Sequence, residues 1–326
     1  MQSKNGEKYT ILVSGASGIV GYGILRSLRE RGDCFLIGTT IYPESPANCF
    51  SDVVEIVPRT DDPLYFDCLA DLIERYSVNM IIPGIEADMS AWNQKRKYLS
   101  ETGTFLLLNT PELVDLCLDK WKFYEQLEKN GYEGRICSSL ERNCFQFPMP
   151  FLLKPRCGFG ARGIVKIECE EQFAQYAHEI GNRLMMQEYV GNEDEEYTVS
   201  VFFDKESQIR AVMGMKRKLS GTGFTEMAEV VDEEQFREEI AQLAKIFKPI
   251  GPTNFQFRKH KEKFKLLEIN PRISSATSIR AKFGYNESVM AVDYFLTGEQ
   301  IFQPEILRGK AMRYTEDYIF YDSNHI

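Results

Sequence analysis

Four short apolar runs in the first third of the chain, Tyr9 to Ser14, Cys34 to Thr40, Met80 to Pro83 and Phe105 to Leu108, alternate with segments of helical spacing. Those segments are Tyr22 to Arg31, with Ile24, Leu25 and Leu28 inward and Gly32 closing it, Pro63 to Tyr76, with Leu64, Cys68, Leu72 and Ile73 inward, and Ala87 to Leu99. Strand–helix alternation of this kind folds as an open parallel sheet with its ligand crevice at the C-terminal ends of the strands. Glu86 falls at such an end, where it can grip an amine or simply start a helix.

Gly15-Ala16-Ser17-Gly18-Ile19-Val20-Gly21 follows the first strand, where a helix N-terminus can meet an anion. Three features separate it from a dinucleotide fingerprint. The spacing is G-x-x-G-x-x-G, the second strand ends on Thr39 and Thr40 rather than an acid, and no tyrosine has a lysine four places later. A tight turn with close helix–sheet packing is the simpler expectation, with a nicotinamide-dependent oxidoreductase as the least favoured alternative.

Beyond Asn109 the pattern changes. Thr110-Pro111-Glu112 starts a helix and Asp119 is placed to cap its continuation through Lys120 and Lys122, of which at most one faces a site. Phe151-Leu152-Leu153-Lys154-Pro155 reads as a strand, Arg156 to Gly163 as a glycine-rich flap, and Ile164 to Ile167 as the return. Further strands are expected at Leu184 to Val190, Tyr197 to Phe203, Ile209 to Met215 and Gly251 to Phe257, with an amphipathic helix at Glu233 to Phe247. Lys216-Arg217-Lys218 is either a solvated strand end or a phosphate clamp.

The stretch Phe264 to Arg272 is the most chemical of all. Alternation puts Leu266, Glu268 and Asn270 on one face, with Leu267 and Ile269 on the other. Pro271 ends the ladder and Arg272 stands beside the acid–amide pair. Hard oxygens and a cation at a strand end suit a magnesium ion and phosphate oxygens.

Charge and composition remove several classes. A balance of 39 basic against 48 acidic residues argues against nucleic acid as the main partner. No apolar run approaches the roughly 20 residues that span a bilayer, and no secretory signal is visible at the N-terminus. The eight cysteines form no C-x-x-C pair and the three histidines are dispersed, so reduced thiols and a cytoplasmic location are expected.

Taken together, these pieces resemble the ATP-grasp superfamily, nearest to the carbamoyl-phosphate-synthase-like ligases with a single ATP-grasp unit. The carriers are Asp119-Lys120, Phe151 to Pro155 with its flap, Gln187-Glu188-Tyr189-Val190, Glu196-Tyr197-Thr198-Val199, Asn254-Phe255-Gln256-Phe257 and Leu267 to Arg272, in that order over nearly the whole chain.

The resemblance implies an α/β and α+β chain: a Rossmann-like pre-ATP-grasp domain over 1–109, then an ATP-grasp domain over 110–326 with a glycine-rich lid at about 147–187. It implies that Lys120 and Lys154 contact ATP phosphates and that Gly158, Phe159, Gly160 and Ala161 close over them. Gln187, Glu188, Tyr189 and Val190 form the hinge at adenine, and Glu196, or Glu195 beside it, holds the ribose. Gln256, Glu268 and Asn270 are the implied ligands of magnesium or manganese. Arg272 is the cation at the phosphorylated intermediate, with Lys216 as a second catalytic cation.

The implied reaction is an ADP-forming ligation of a small carboxylate to an amine through an acyl phosphate. The substrates would lie around Gly15 to Ser17, Glu86 and the Ser220 to Gly223 loop, and a homodimer is a family-level expectation. A non-catalytic ATP sensor is the alternative. Two features depart from the synthases: Ile273-Ser274-Ser275-Ala276 stands where they carry a second arginine, and the chain is too short for their two tandem halves.

Overall fold

A computed structural model describes residues 9–144, 146–158, 163–221 and 223–319. Five parallel strands form the first sheet: β1 (Tyr9–Val13), β2 (Cys34–Thr40), β3 (Val53–Ile56), β4 (Met80–Ile82) and β5 (Phe105–Leu106), in the order β3-β2-β1-β4-β5. Period-two alternation feeds two cores. Ile11 and Val13 pack with Ile24, Leu25 and Leu28 of helix Ile19–Leu28, whereas Leu12 packs with Leu69, Leu72 and Ile73 of helix Tyr65–Tyr76. The expectations omitted β3, a four-residue, partly exposed strand in which Val53, Val54 and Ile56 supply a short β-branched signal. The single helix expected over Ala87 to Leu99 is two, Glu86–Gln94 and Arg96–Ser100, because Lys95 leaves the helical region (φ −110°, ψ 20°).

The glycine turn is explained by packing. Gly15 has φ +57°, a left-handed conformation that glycine adopts without strain. A Cβ on Gly21 would lie 2.4 Å from the Gly15 carbonyl oxygen. One on Gly84, just past β4, would lie 2.1 Å from the Ser14 carbonyl oxygen and 2.8 Å from Gly21 Cα. Three backbones therefore meet where the strand order reverses. At the end of β2, the Thr40 hydroxyl bonds to Ser17 Oγ and accepts from Tyr42 N–H.

A four-stranded antiparallel sheet follows, formed by β6 (Ser138–Ser139), β7 (Phe151–Pro155), β8 (Val165–Ile167) and β9 (Leu184–Glu188) in the order β6-β9-β7-β8. Phe151, Leu153, Leu184 and Met186 give it a small core under Phe173 of helix Glu170–Tyr176.

The largest sheet contains β10 (Glu196–Phe203), β11 (Ile209–Leu219), β12 (Thr225–Val231), β13 (Gly251–His260), β14 (Lys263–Asn270) and β15 (Lys310–Met312). It is antiparallel, in the order β14-β13-β10-β11-β12-β15. Val199, Val201, Phe255 and Phe257 pack on Ile240, Leu243 and Phe247 of helix Arg237–Phe247. The opposite face carries Phe202, Met213 and Met215 into a core shared with Ile24 and Leu25 of the first unit and with Ile279 and Ala291. That shared core fixes the parallel sheet's strand ends beside the polar end of the large sheet.

Gly84→Ala is expected to cost about 1–3 kcal/mol of unfolding free energy, the usual penalty of overpacking. Gly221→Ala, with no atom of the described residues beyond its chain neighbours within 4 Å of the added methyl, is the control. Chemical denaturation of the full chain measures both, and an unchanged midpoint for Gly84→Ala would refute the three-backbone contact.

Candidate functional site

The site grows from the register of β13 on β14. Gln256 lies opposite Glu268 and Asn254 opposite Asn270, so all four side chains share one face. Asn270 Nδ2 donates to Glu268 Oε1 at 3.1 Å. Simple alternation placed Leu266 on this face, and that expectation is corrected. The register shifts by one between Gln256 and Phe257, leaving Leu267 as a bulge, so Leu266 pairs with Phe257 and enters the apolar core beside Ile269. Tyr124 Oη donates to the Leu267 carbonyl at 2.5 Å and ties the bulge to helix Lys120–Lys129.

That helix begins at the site. Asp119 caps it by accepting from the N–H groups of Trp121 and Lys122, and pairs with Arg156 at 2.6 Å. Lys120 N–H donates to the Arg156 carbonyl and its Nζ to the Gly158 carbonyl at 2.7 Å, so helix start and flap stem are joined. Lys122 is exposed. A cavity of about 50 Å³ here is lined by Glu86, Cys117, Lys120, Gly158, Glu268 and Asn270. Burial, with Glu268 and Glu86 nearby, pushes the Cys117 thiol well above its usual range, which disfavours a thiolate in this cavity.

Lys154 on β7 is half-buried, and its ammonium has no hydrogen bond or ion pair among the described residues. Burial lowers its pKa to about 8, partly opposed by the Glu268 carboxylate, which favours the charged form. Because Leu152 lies opposite Gln187 and Lys154 opposite Met185, Lys154 and Gln187 share a face. Glu188 alternates to the other side and its N–H donates to the Cys137 carbonyl, so its carboxylate does not share the Lys154 face. Val190 N–H donates to nothing among the described residues.

The acids beside β10 are already engaged. Glu196 Oε1 accepts from Arg217 Nη2 at 2.6 Å and Oε2 from Arg258 Nη2 at 2.9 Å. Burial opposes its charge, but the two guanidiniums outweigh that and hold the carboxyl below its usual range. Glu195 pairs with Lys216 and accepts from Tyr197 Oη. Both acids are therefore ion-paired before any ligand arrives.

The basic triplet lies within β11, not past its end, so its side chains alternate. Lys216 sits opposite Tyr197 on the face away from Glu268, which corrects the expectation that it joins Arg272. Arg217 takes the site face instead and donates to Gln256 Oε1 at 2.5 Å. Phe159, Gly160 and Ala161 lie outside the described residues.

Arg272 is held from the other domain. Its Nη2 donates to Glu86 Oε1 at 2.7 Å and its Nη1 to the Ile273 carbonyl. Behind it, Arg280 is wholly buried, donating to Glu287, Ser274, Thr198 and Asn254. Sequence reasoning missed Arg280 and Glu287 because nothing local distinguishes them from surface helix charges. Among the described residues, seven buried side-chain polar atoms lack a partner. Five belong to this region: Gln187 Oε1, Asn254 Nδ2 and the Nε atoms of Arg258, Arg272 and Arg280. Unsatisfied donors and an acceptor beside a hard-oxygen pair fit a polar, anionic ligand with a divalent ion.

A family model described as "ATP-grasp in the biosynthetic pathway with Ter operon" matches residues 167–318, and one described as "PylC-like, N-terminal domain" matches residues 24–107. The carbamoyl phosphate synthase large chain of Campylobacter jejuni is 23% identical over 310 residues, covering 84% of this chain and 28% of that protein. The chain thus spans little more than a quarter of that relative. N5-carboxyaminoimidazole synthetase from Staphylococcus aureus, complexed with ADP, superposes with a TM-score of 0.73 at 18% identity, over 93% of this chain and 82% of the other. The biotin carboxylase domain of Hydrogenobacter thermophilus 2-oxoglutarate carboxylase, in complex with MgADP, ADP and bicarbonate, does so with 0.71 at 16%, over 92% and 73%. These likenesses establish a shared fold.

Lys154 is expected to titrate near pH 8. The folded state disfavours its ammonium, so the resulting destabilisation is full below about pH 8 and is relieved as pH rises toward the ordinary 10.5. Chemical-shift titration of isotopically labelled lysines, with Lys154→Arg to assign the resonance, reads the value directly. Glu268→Gln should lower it further, and a titration near 10.5 in the unsubstituted protein would rule the burial out.

Proposed function

We propose that this chain, which joins a PylC-like N-terminal domain to an ATP-grasp domain, is an ATP-dependent, ADP-forming ligase that couples a small carboxylate to an amine. One observation carries the reading. Glu268 and Asn270 stand 3.1 Å apart at a strand end, Lys120 lines the same cavity, and Lys154 feels the Glu268 charge. Arg272 follows two residues after Asn270.

Glu268 and Asn270 would hold a magnesium ion, whose chemistry there is to neutralise charge between the β- and γ-phosphates. Lys154, cationic below about pH 8, and Lys120 place positive charge for the phosphate oxygens. The unpartnered Gln187 Oε1 suits the adenine amino group, and Val190 N–H suits a ring nitrogen. The substrate carboxylate attacks the γ-phosphorus, the bond to the bridging oxygen breaks, and ADP leaves. The amine nitrogen then attacks the acyl carbon, the bond to phosphate oxygen breaks, and phosphate departs with the nitrogen's proton lost to solvent.

Arg272 is placed to stabilise the carboxylate and the acyl phosphate, with Glu86 beside it to hold an ammonium. No protein nucleophile is needed, because positioning and charge stabilisation supply the acceleration. The flap stem at Arg156 to Gly158, tied to Lys120, would carry the loop that keeps water from the acyl phosphate.

ADP release with magnesium, against pooled carboxylates and amines, is the test. Glu268→Ala should abolish metal-dependent turnover with the circular dichroism unchanged. Lys154→Met should lower kcat/KM for ATP by about 10²–10³, the scale of removing a transition-state donor. Turnover by Glu268→Ala at the unsubstituted rate would sink the metal assignment. ATP binding without ADP release across the whole panel would favour a sensor.

A further inference from the structure

We infer that Arg217 occupies the place of a second divalent cation, so that the nucleotide site takes up a single metal ion. The inference rests on the nucleotide reading above and concerns how that site balances its charge. Gln256 lies directly opposite Glu268 on the neighbouring strand and would bring a second ion against the same carboxylate. Its side chain offers only one acceptor oxygen, because an amide nitrogen donates and does not ligate a hard cation. That oxygen is engaged by Arg217 Nη2 at 2.5 Å.

The same nitrogen lies 2.6 Å from Glu196 Oε1, and Arg217 is only 7% exposed, so a packed side chain makes both contacts at once. Arg258 neutralises the remaining Glu196 oxygen. Two guanidiniums against one carboxylate leave a surplus positive charge beside Gln256. A divalent ion at Gln256 would face that charge in a low-dielectric setting, where repulsion is far stronger than in water.

The other half of the patch differs. Glu268 accepts only from Asn270 Nδ2 among the described residues, so its carboxylate is left for one ion. Among the described residues no three acidic, histidine or cysteine side chains converge as a metal site. Phosphate oxygens must complete the coordination, and the ion should arrive with the nucleotide. The guanidinium then supplies fixed charge where a second ion would otherwise stand, with no ion to recruit.

Electron paramagnetic resonance of manganese(II), titrated into the full chain with a non-hydrolysable β,γ-imido ATP analogue, counts the ions without any turnover. One tightly held manganese per bound nucleotide, and none without nucleotide, is the expected result. Two ions per nucleotide with spin coupling would overturn the inference and leave the nucleotide reading standing. Absence of nucleotide uptake would overturn both. Arg217→Gln frees the Gln256 oxygen and should admit a second manganese. A folded Arg217→Gln still holding one ion would remove Arg217 from the role, and if that variant fails to fold the unsubstituted count decides.

Discussion

The antiparallel register of β13 on β14 is the constraint on which the rest of the site depends. It places Gln256 against Glu268 and Asn254 against Asn270, while Phe255, Phe257 and Ile269 enter the core on the other face. A slip of β14 by one residue would turn Glu268 and Asn270 toward the core and Ile269 toward the cleft. The bulge at Leu267 lets both demands be met. Leu266 stays in the core, and Glu268 still faces the cleft. Tyr124 holds the bulged carbonyl, which links this local irregularity to the helix that begins at Lys120.

Around that register the charges are nearly all spoken for. Glu196 lies between Arg217 and Arg258, Glu287 against Arg280, and Glu86 against Arg272. Such pairs cost desolvation, and their worth here is orientation rather than net stability. Arg280, engaged on four sides, fixes Asn254 and Thr198 beneath the oxygen pair. Glu268 and Lys120 meet only neutral groups, and Lys154, buried enough to lose affinity for its proton, is unpartnered among the described residues. Its environment is therefore suited to an incoming anion. The Glu86–Arg272 pair crosses from one domain to the other, so the parallel sheet shapes the site as well as supporting it.

Much of the architecture was legible from residue order. Alternating strands and helices specified the parallel sheet, Pro111 and Asp119 marked helix starts, and the glycine spacing of Gly15 to Gly21 already read as packing rather than a cofactor turn. The misreadings share a cause. Leu266 and Lys216 were assigned by counting along one strand. A bulge and a strand extended to Leu219 altered both of them. Arg280 and Glu287 left no local trace, since a fully buried ion pair is identified by what surrounds it.

By itself the sequence determined most of the longer strands, though not β3, β6 or β12, which face of most of them is apolar, and that an acid, an amide and an arginine end the same strand. These follow from short-range rules of propensity, alternation and capping that act within a few residues. Tertiary structure alone decided which charges meet. It gave Gln256 and Glu196 to Arg217, Arg272 to Glu86, and left Lys154 without a partner among the described residues. Electrostatic pairing depends on distance and dielectric across strands far apart in the chain, and no spacing rule within one segment encodes it.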